Sequence, residues 1–368
     1  MPEFYTRKDI SENEIELKVS LPKEAFKSSY EAALKEELSR TNVKGFRKGM
    51  VPTDMLEKQI KPVLLTEVFQ RVAPYYVNAA IIKENLEPAA PPKYTELGDL
   101  DLNKEVTFTV KITLMPKFKL GNLKKIKVTK QDEKVTKEDL EKTLENMQKN
   151  NLVHVKGDKV DDKWAKEIAK LYNFPEVKNL DDLKKEIEKI VKVQKKAYIR
   201  QSHEAEVLKE AIKLTNIKVP DEAIEYEAHE REHAFMHDLE NAKMTMADYE
   251  KSQGITHEQM HEAWHKDAQE ALETDLLLKT YAEERKVTIE DDELKAEIDK
   301  IKVANRGREG DRPELYEDPR WIAQIKSILI KQKAYRDLIV EVIGEYVEEP
   351  VESANREVGQ AKKKAKSK

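Results

Sequence analysis

The chain has 368 residues, 38% of them charged and 39% hydrophobic, with ten glycines and a formal net charge of −5 at pH 7. A charged fraction this far above the roughly 25% of ordinary globular domains favours long wetted helices, and the net charge excludes a global basic field, so any nucleic-acid contact must be local. The absence of cysteine excludes disulfides, thiolate nucleophiles and cysteine-based zinc sites.

In chain order, the charged start MPEFYTRKDISENEIELKV lacks the apolar core of a signal peptide. No apolar run approaches the ~18 residues of a membrane span, so the expectation is a cytoplasmic protein with no membrane partner. Over 12–20, Ile15, Leu17 and Val19 alternate with polar residues, as do Val106, Phe108, Val110, Ile112 and Leu114 over 105–114; both patterns predict half-buried strands. Between them, helices are expected from Pro22–Lys23 to Arg40, from Thr53, and from Pro62 to Leu86, with the proline-rich 87–94 as a stop. Residues 1–115 thus read as a small α+β unit whose end strands close one sheet. Residues 116–130 carry six lysines and no acid, an extended linker in character.

From Lys137 onward the pattern is helical: 137–151, 180–214, a helix opening at Pro220 with Asp221 and Glu222 in its first turn, 256–286 with Thr256 as N-cap, 291–304, and a last helix from Arg320. In the 180–214 helix, Leu183, Ile187, Ile190, Val191, Gln194 and Tyr198 fall near one face. Residues 306–319 break the pattern as a loop, and the basic, low-complexity tail is expected to be disordered.

The stretch 44–52 is unusual. Gly45 and Gly49 bracket Phe46, Arg47 and Lys48, with Lys44 before and Pro52 after. A phenylalanine on a glycine-hinged tip can fill a partner's pocket, Arg47 can grip a carboxylate or phosphate, and Lys44 and Lys48 add attraction to phosphate. A plain turn with Phe46 folded back into the core fits the triplet alone equally well.

Gly45-Phe46-Arg47-x-Gly49-x-x-Pro52 resembles the ribosome-docking signature of bacterial trigger factors. The following PTDMLEKQI, the segment from Leu86 to Leu120, NIKVPDEAIEYEAHE and LYEDP (315–319) resemble further family tracts, so the likeness runs over about residues 1–345. RGREGDRP departs from the family tract as an insertion. The resemblance implies an α+β chain: a ribosome-binding α+β domain (1–115), an extended linker (116–134), a mainly helical substrate-binding domain with projecting arms (135–347) and a disordered basic tail (348–368). It implies an ATP-independent chaperone that docks by Lys44, Gly45, Phe46, Arg47, Lys48, Gly49 and Pro52 to ribosomal protein and rRNA of the large subunit at the tunnel exit. Its partners would be nascent and unfolded polypeptides, with a homodimer off the ribosome and no cofactor; no phosphate-binding glycine motif occurs. Scattered apolar contacts would hold the client: Met115 and Phe118 in the linker, Phe235, Met236, Met244, Met246, Met260 and Trp264 in the first arm, and Trp321 and Ile325 near the second. The family's FKBP-like prolyl isomerase domain has no counterpart. About ten residues separate the helix ending near Asn151 from the next, and a domain needs at least ~50, so no enzymatic activity is expected.

Six of the eight histidines form two stripes at i, i+4, i+8: His229, His233, His237 and His257, His261, His265. Residues 229–233, 257–261 and 261–265 match H-E-x-x-H, in which two histidines bind zinc and the glutamate acts as base. A zinc-dependent hydrolase or a metal-binding protein is therefore one alternative, and a ribosome-free holdase or assembly chaperone another. A solvated polar stripe, with no metal, is the favoured reading, because a helix rich in His and Glu produces so short a motif by chance.

Overall fold

The structure, a computed structural model, describes residues 4–41, 52–129, 133–151, 155, 159–307 and 312–344. Both alternating stretches become strands. A four-stranded antiparallel sheet of order β1-β2-β4-β3 is built from β1 (Tyr5–Ser11), β2 (Glu14–Leu21), β3 (Lys93–Leu97) and β4 (Val106–Thr113). The β2–β4 register sets Ile15 opposite Ile112, Leu17 opposite Val110, Val19 opposite Phe108 and Leu21 opposite Val106. All eight side chains are buried, because a period of two sends them to one face. Helix α1 (Lys23–Arg40) brings Phe26, Tyr30, Ala33 and Leu34 to this core, and α2 (Thr53–Lys83) brings Leu64, Leu65, Val68, Phe69, Ala73, Val77 and Ala80. Phe69 meets Phe108 edge-on with ring centroids 5.1 Å apart, and each such buried aromatic or aliphatic side chain stabilises the unit by about 1.5–3 kcal/mol.

The expected helices of the first unit need one correction. Helices expected from Thr53 and from Pro62 are one, because α2 runs through Pro62 and Pro74. Each proline removes a backbone donor and crowds the preceding turn, at a cost of roughly 3 kcal/mol. Both face solvent, and the apolar face from Leu56 to Ala80 packs without interruption, which outweighs that cost. The outer strands β1 and β3 carry no alternating pattern: six of seven β1 residues and all of β3 are exposed. Backbone ladders hold them, helped by Tyr5 Oη and Arg7 donating to Glu84 at 2.6 and 3.0 Å.

The chain divides into two compact units, Met1–Phe118 with Ile217–Leu276, and Lys119–Asn216 with Leu277–Lys368. In the first, α6 (Asp221–Asn241), α7 (Met246–Gln253) and the leading part of α8 (His257–Arg285) follow the sheet in sequence. Thr256 caps α8, accepting from the Gln259 amide at 3.3 Å. In the second, α3 (Lys137–Asn150), α4 (Asp162–Leu171) and α5 (Leu180–Thr215) enclose Leu144, Trp164, Ile168, Leu183, Ile187 and Val191. The buried face of α5 continues through Ile199, Val207 and Ala211; Gln194 and Tyr198, expected on it, are exposed. Ile199 continues the steps of four that run through Leu183, Ile187 and Val191, and Tyr198 falls off that stripe. The lysine-rich segment after residue 118 is not wholly exposed either, since Leu123 and Ile126 are buried around a short 3₁₀ turn. Helices α9 (Asp291–Asn305) and α10 (Pro319–Ile343) complete the unit. Tyr281 donates to Glu341 at 2.9 Å, Arg285 grips the same carboxylate through two nitrogens, and burial, reinforced by Glu341, pushes the Tyr281 hydroxyl up to about 12. The basic tail lies outside the described residues.

Two outcomes follow from the second unit. The Gly121 amide donates to Thr215 Oγ1 at 3.2 Å, and a Cβ there would sit 2.4 Å from the Leu214 carbonyl oxygen. Gly121→Ala is expected to lower the unit's denaturation midpoint, by about 1–3 kcal/mol of stability. Asp139 closes a capping box with Thr136 and accepts from Lys195 at 3.1 Å. The Thr136 backbone amide first, then Lys195, pull its carboxyl down to about 2. A depressed folded-state value gives stabilisation that is full above about pH 4 and is lost as pH falls through about 2. An NMR titration of Asp139 should find its midpoint low, and Lys195→Met should move it upward.

Candidate functional site

Of the residues in the docking signature, only Pro52 is described; Lys44, Gly45, Phe46, Arg47, Lys48 and Gly49 lie outside the described residues. Its two attachment points are well defined. Helix α1 ends at Arg40 with Thr41 as C-cap, and Pro52 is the N-cap of α2, accepting from the Met55 amide at 3.0 Å. Tyr30 of α1 donates to Glu57 of α2 at 3.2 Å; burial, then that carboxylate, push its hydroxyl up to about 12. Glu36 of α1 lies 3.7 Å from Arg71 of α2. The segment therefore starts and ends on two helices locked to one core.

The second constellation is the hairpin of α6 and α8. Glu225 meets His265 at 3.9 Å, the rings of His229 and His261 lie 5.6 Å apart, and Glu232 meets His257 at 2.6 Å. Partners run in opposite order, so the helices are antiparallel. Their seam holds Ile224, Ala228 and Ala268, flanked by Trp264 and Leu272. Small alanines let the two backbones approach.

The apolar client candidates separate by burial. Met260 is 6% exposed and belongs to the interior, contrary to a surface role. Phe235 packs between Tyr249 and Trp264, at 4.9 and 5.5 Å between ring centroids. Met236 and Met244 are exposed, while Met115, Phe118, Met246 and Ile325 are half-buried. Trp321 meets Tyr316 edge-on at 5.3 Å. Tyr198, Tyr226 and Ile328 are exposed as well, though not among the client candidates.

The stripes are only partly brought together. His229, His257, His261 and His265 face each other across the hairpin; His233 and His237 are exposed on α6, with His237 Nδ1 against Asn241 at 3.0 Å. Two carboxylates not singled out from the motif join them. Glu225 lies 3.1 Å from His229 Nε2 and 3.8 Å from His261 Nε2. Glu232 lies 3.5 Å from His229 Nδ1, and the hydrogen bond to His257, then desolvation in opposition and the charge of both histidines, leaves its carboxyl below the usual range. Glu225 stands one helical turn before His229, a spacing at which the sequence could have exposed it. The presumptive bases of the H-E-x-x-H matches, Glu230, Glu258 and Glu262, are exposed.

Residues 4–147 match the family profile of the bacterial trigger factor protein, and residues 179–340 match the profile of the bacterial trigger factor C-terminus. The chain belongs to the trigger factor family. The trigger factor of Macrococcus caseolyticus is 31% identical over 121 residues, which is 33% of this chain and 28% of that protein. The trigger factor of Carboxydothermus hydrogenoformans is 27% identical over 173 residues, 47% of this chain and 36% of that protein. The chain thus aligns with well under two thirds of the length of these relatives. A solved trigger factor chaperone structure overlaps with a TM-score of 0.49 and 16% identity, covering 92% of this chain and all of that one. The trigger factor profiles matched are those of the N- and C-terminal regions; the stretch between them, 148–178, contains α4. No helix among the described residues is long and apolar enough to cross a membrane.

The burial contrast in the hairpin is measurable. Met260→Ala should cost about 2–5 kcal/mol in chemical denaturation. Met236→Ala and Met244→Ala should each stay within roughly 0.5 kcal/mol of the parent.

Proposed function

We propose that this chain is an ATP-independent, cytoplasmic chaperone that docks on the large ribosomal subunit beside the polypeptide exit tunnel and shields nascent chains. The observation that carries this reading is the Gly45-Phe46-Arg47-x-Gly49-x-x-Pro52 signature, placed between α1 and α2 in a region matched by the trigger factor profile. Phe46 fills an apolar pocket of a ribosomal protein, and Arg47 with Lys44 and Lys48 meets carboxylates or rRNA phosphates. Residues 1–115 form the docking domain, 116–134 the linker, and 135–347 the substrate-binding part. A homodimer off the ribosome belongs to the same reading.

Client binding rests on exposed, flexible apolar side chains such as Met236 and Met244. Each contact is weak, and many together hold an unfolded chain while letting it leave. The chain acts without prolyl isomerase chemistry. Only α4 and its short connections separate α3 from α5, far less than the ~50 residues of a domain.

Ribosome co-sedimentation tests the docking role. Phe46→Ala, Arg47→Ala and Lys48→Ala together should abolish it while leaving protection of an aggregating client intact; undiminished sedimentation would falsify docking through this loop. A proline-limited refolding assay should show no acceleration by the chain beyond its holding effect.

A further inference from the structure

We propose that the facing turns of α6 and α8 form a site for one divalent transition-metal ion of the zinc class, with Glu225, His229 and His261 as ligands. One donor atom from each of the three lies within 4.8 Å of the others. A tetrahedral ion with bonds of about 2.0–2.1 Å holds its donors about 3.3 Å apart. Glu225 Oε1 already stands 3.1 Å from His229 Nε2 and 3.8 Å from His261 Nε2. Closing the trio onto an ion therefore takes side-chain adjustments of about an ångström on partly exposed helical turns.

Two neighbours complete the arrangement. His265 Nε2 lies 3.9 Å from the other oxygen of Glu225, within reach of a fourth position that water otherwise fills. Glu232 Oε2 lies 3.5 Å from His229 Nδ1, on the far side of the ring from Glu225. A carboxylate there accepts a hydrogen bond from Nδ1–H, fixes the tautomer and turns the Nε2 lone pair toward the ion. Imidazole and carboxylate donors in this number suit zinc and its divalent neighbours rather than calcium or magnesium, which prefer all-oxygen shells.

This ligand set differs from the sequence motif. His229 takes its partners from one turn earlier and from the opposite helix, not from His233. An ion so placed ties α6 to α8, so its consequence is a stiffened hairpin. The proposal stands apart from ribosome docking, since none of its residues lies near the 44–52 loop in sequence.

The test uses the full chain without an affinity tag, stripped with a chelator and titrated with zinc chloride by calorimetry, with cobalt(II) absorption as a geometric readout. The expected result is one equivalent bound, a tetrahedral cobalt spectrum and a rise in melting temperature on adding zinc. The double variant His229→Ala with His261→Ala should lose all three, and Glu232→Gln should weaken binding by about tenfold. His233→Ala with His237→Ala should bind as the parent does. Circular dichroism checks folding, and Glu225→Gln, on an exposed turn, supplies a second route to the same loss. The proposal is overturned if the parent binds no zinc, if binding survives both the double variant and Glu225→Gln, or if the His233 and His237 variant loses it instead.

Discussion

The pairing of β2 with β4 is the constraint on which the N-terminal region depends. It joins residues 97 positions apart, as at Ile15 and Ile112, and beside that pair the side chains of Glu14 and Lys111 meet diagonally at 2.8 Å. Everything between, including α1, α2 and β3, becomes a loop closed by that ladder. Closure costs entropy that grows only slowly with length, and the eight apposed apolar residues from Ile15–Ile112 to Leu21–Val106 offset it. Once this face exists, α1 and α2 have only one place to bury Phe26, Tyr30, Leu64 and Phe69. The positions of Thr41 and Pro52, which flank residues 42–51, are thereby set by the sheet.

The helices face a different constraint. With so many charged residues, each can bury only a narrow stripe. In the α6–α8 hairpin that stripe is Ile224, Ala228 and Ala268, continued by Trp264 and Phe235. Beside it runs a polar ladder of Glu225–His265, His229–His261 and Glu232–His257. Alanine in the seam permits the close approach that brings imidazole and carboxylate across the gap. Apolar packing thus places the polar groups, and the polar groups add little of their own in water, where exposed ion pairs contribute at most about 1 kcal/mol.

What could be read beforehand follows the same physics. β2 and β4 were legible because burial on one face forces alternation; β1 and β3 were not, because edge strands held by backbone bonds need no apolar code. Pro62 read as a helix boundary on local grounds, yet the uninterrupted face from Leu56 to Ala80 overrode it. The i, i+4, i+7 spacing sets Tyr198 near the apolar face of its helix, while Ile199, in steps of four from Leu183, Ile187 and Val191, is the residue that is buried. The docking signature was plain as a pattern of glycines, aromatic and cations. The histidine stripes were plain too, but which of them meet could not be read from one helix at a time. Antiparallel pairing selects His229 and His261 and leaves His233 outside.

On the proposed chaperone reading, the same pairing bears on how a highly charged chain would hold an unfolded one. A large apolar patch on a monomer invites self-association; Tyr198, Tyr226, Met236 and Ile328 instead stand exposed at separate places on long helices, with Met244 exposed just beyond α6. Each offers little area, so under the proposed chaperone reading no one contact would bind a client tightly, and release would require no input of chemical energy. The apolar side chains that would make tighter contact, Met260 and the ring cluster of Phe235, Tyr249 and Trp264, are engaged in holding the hairpin together. A client would therefore meet only what the hairpin does not need for itself. Avidity must come from the number of such sites along the chain rather than the strength of any one of them.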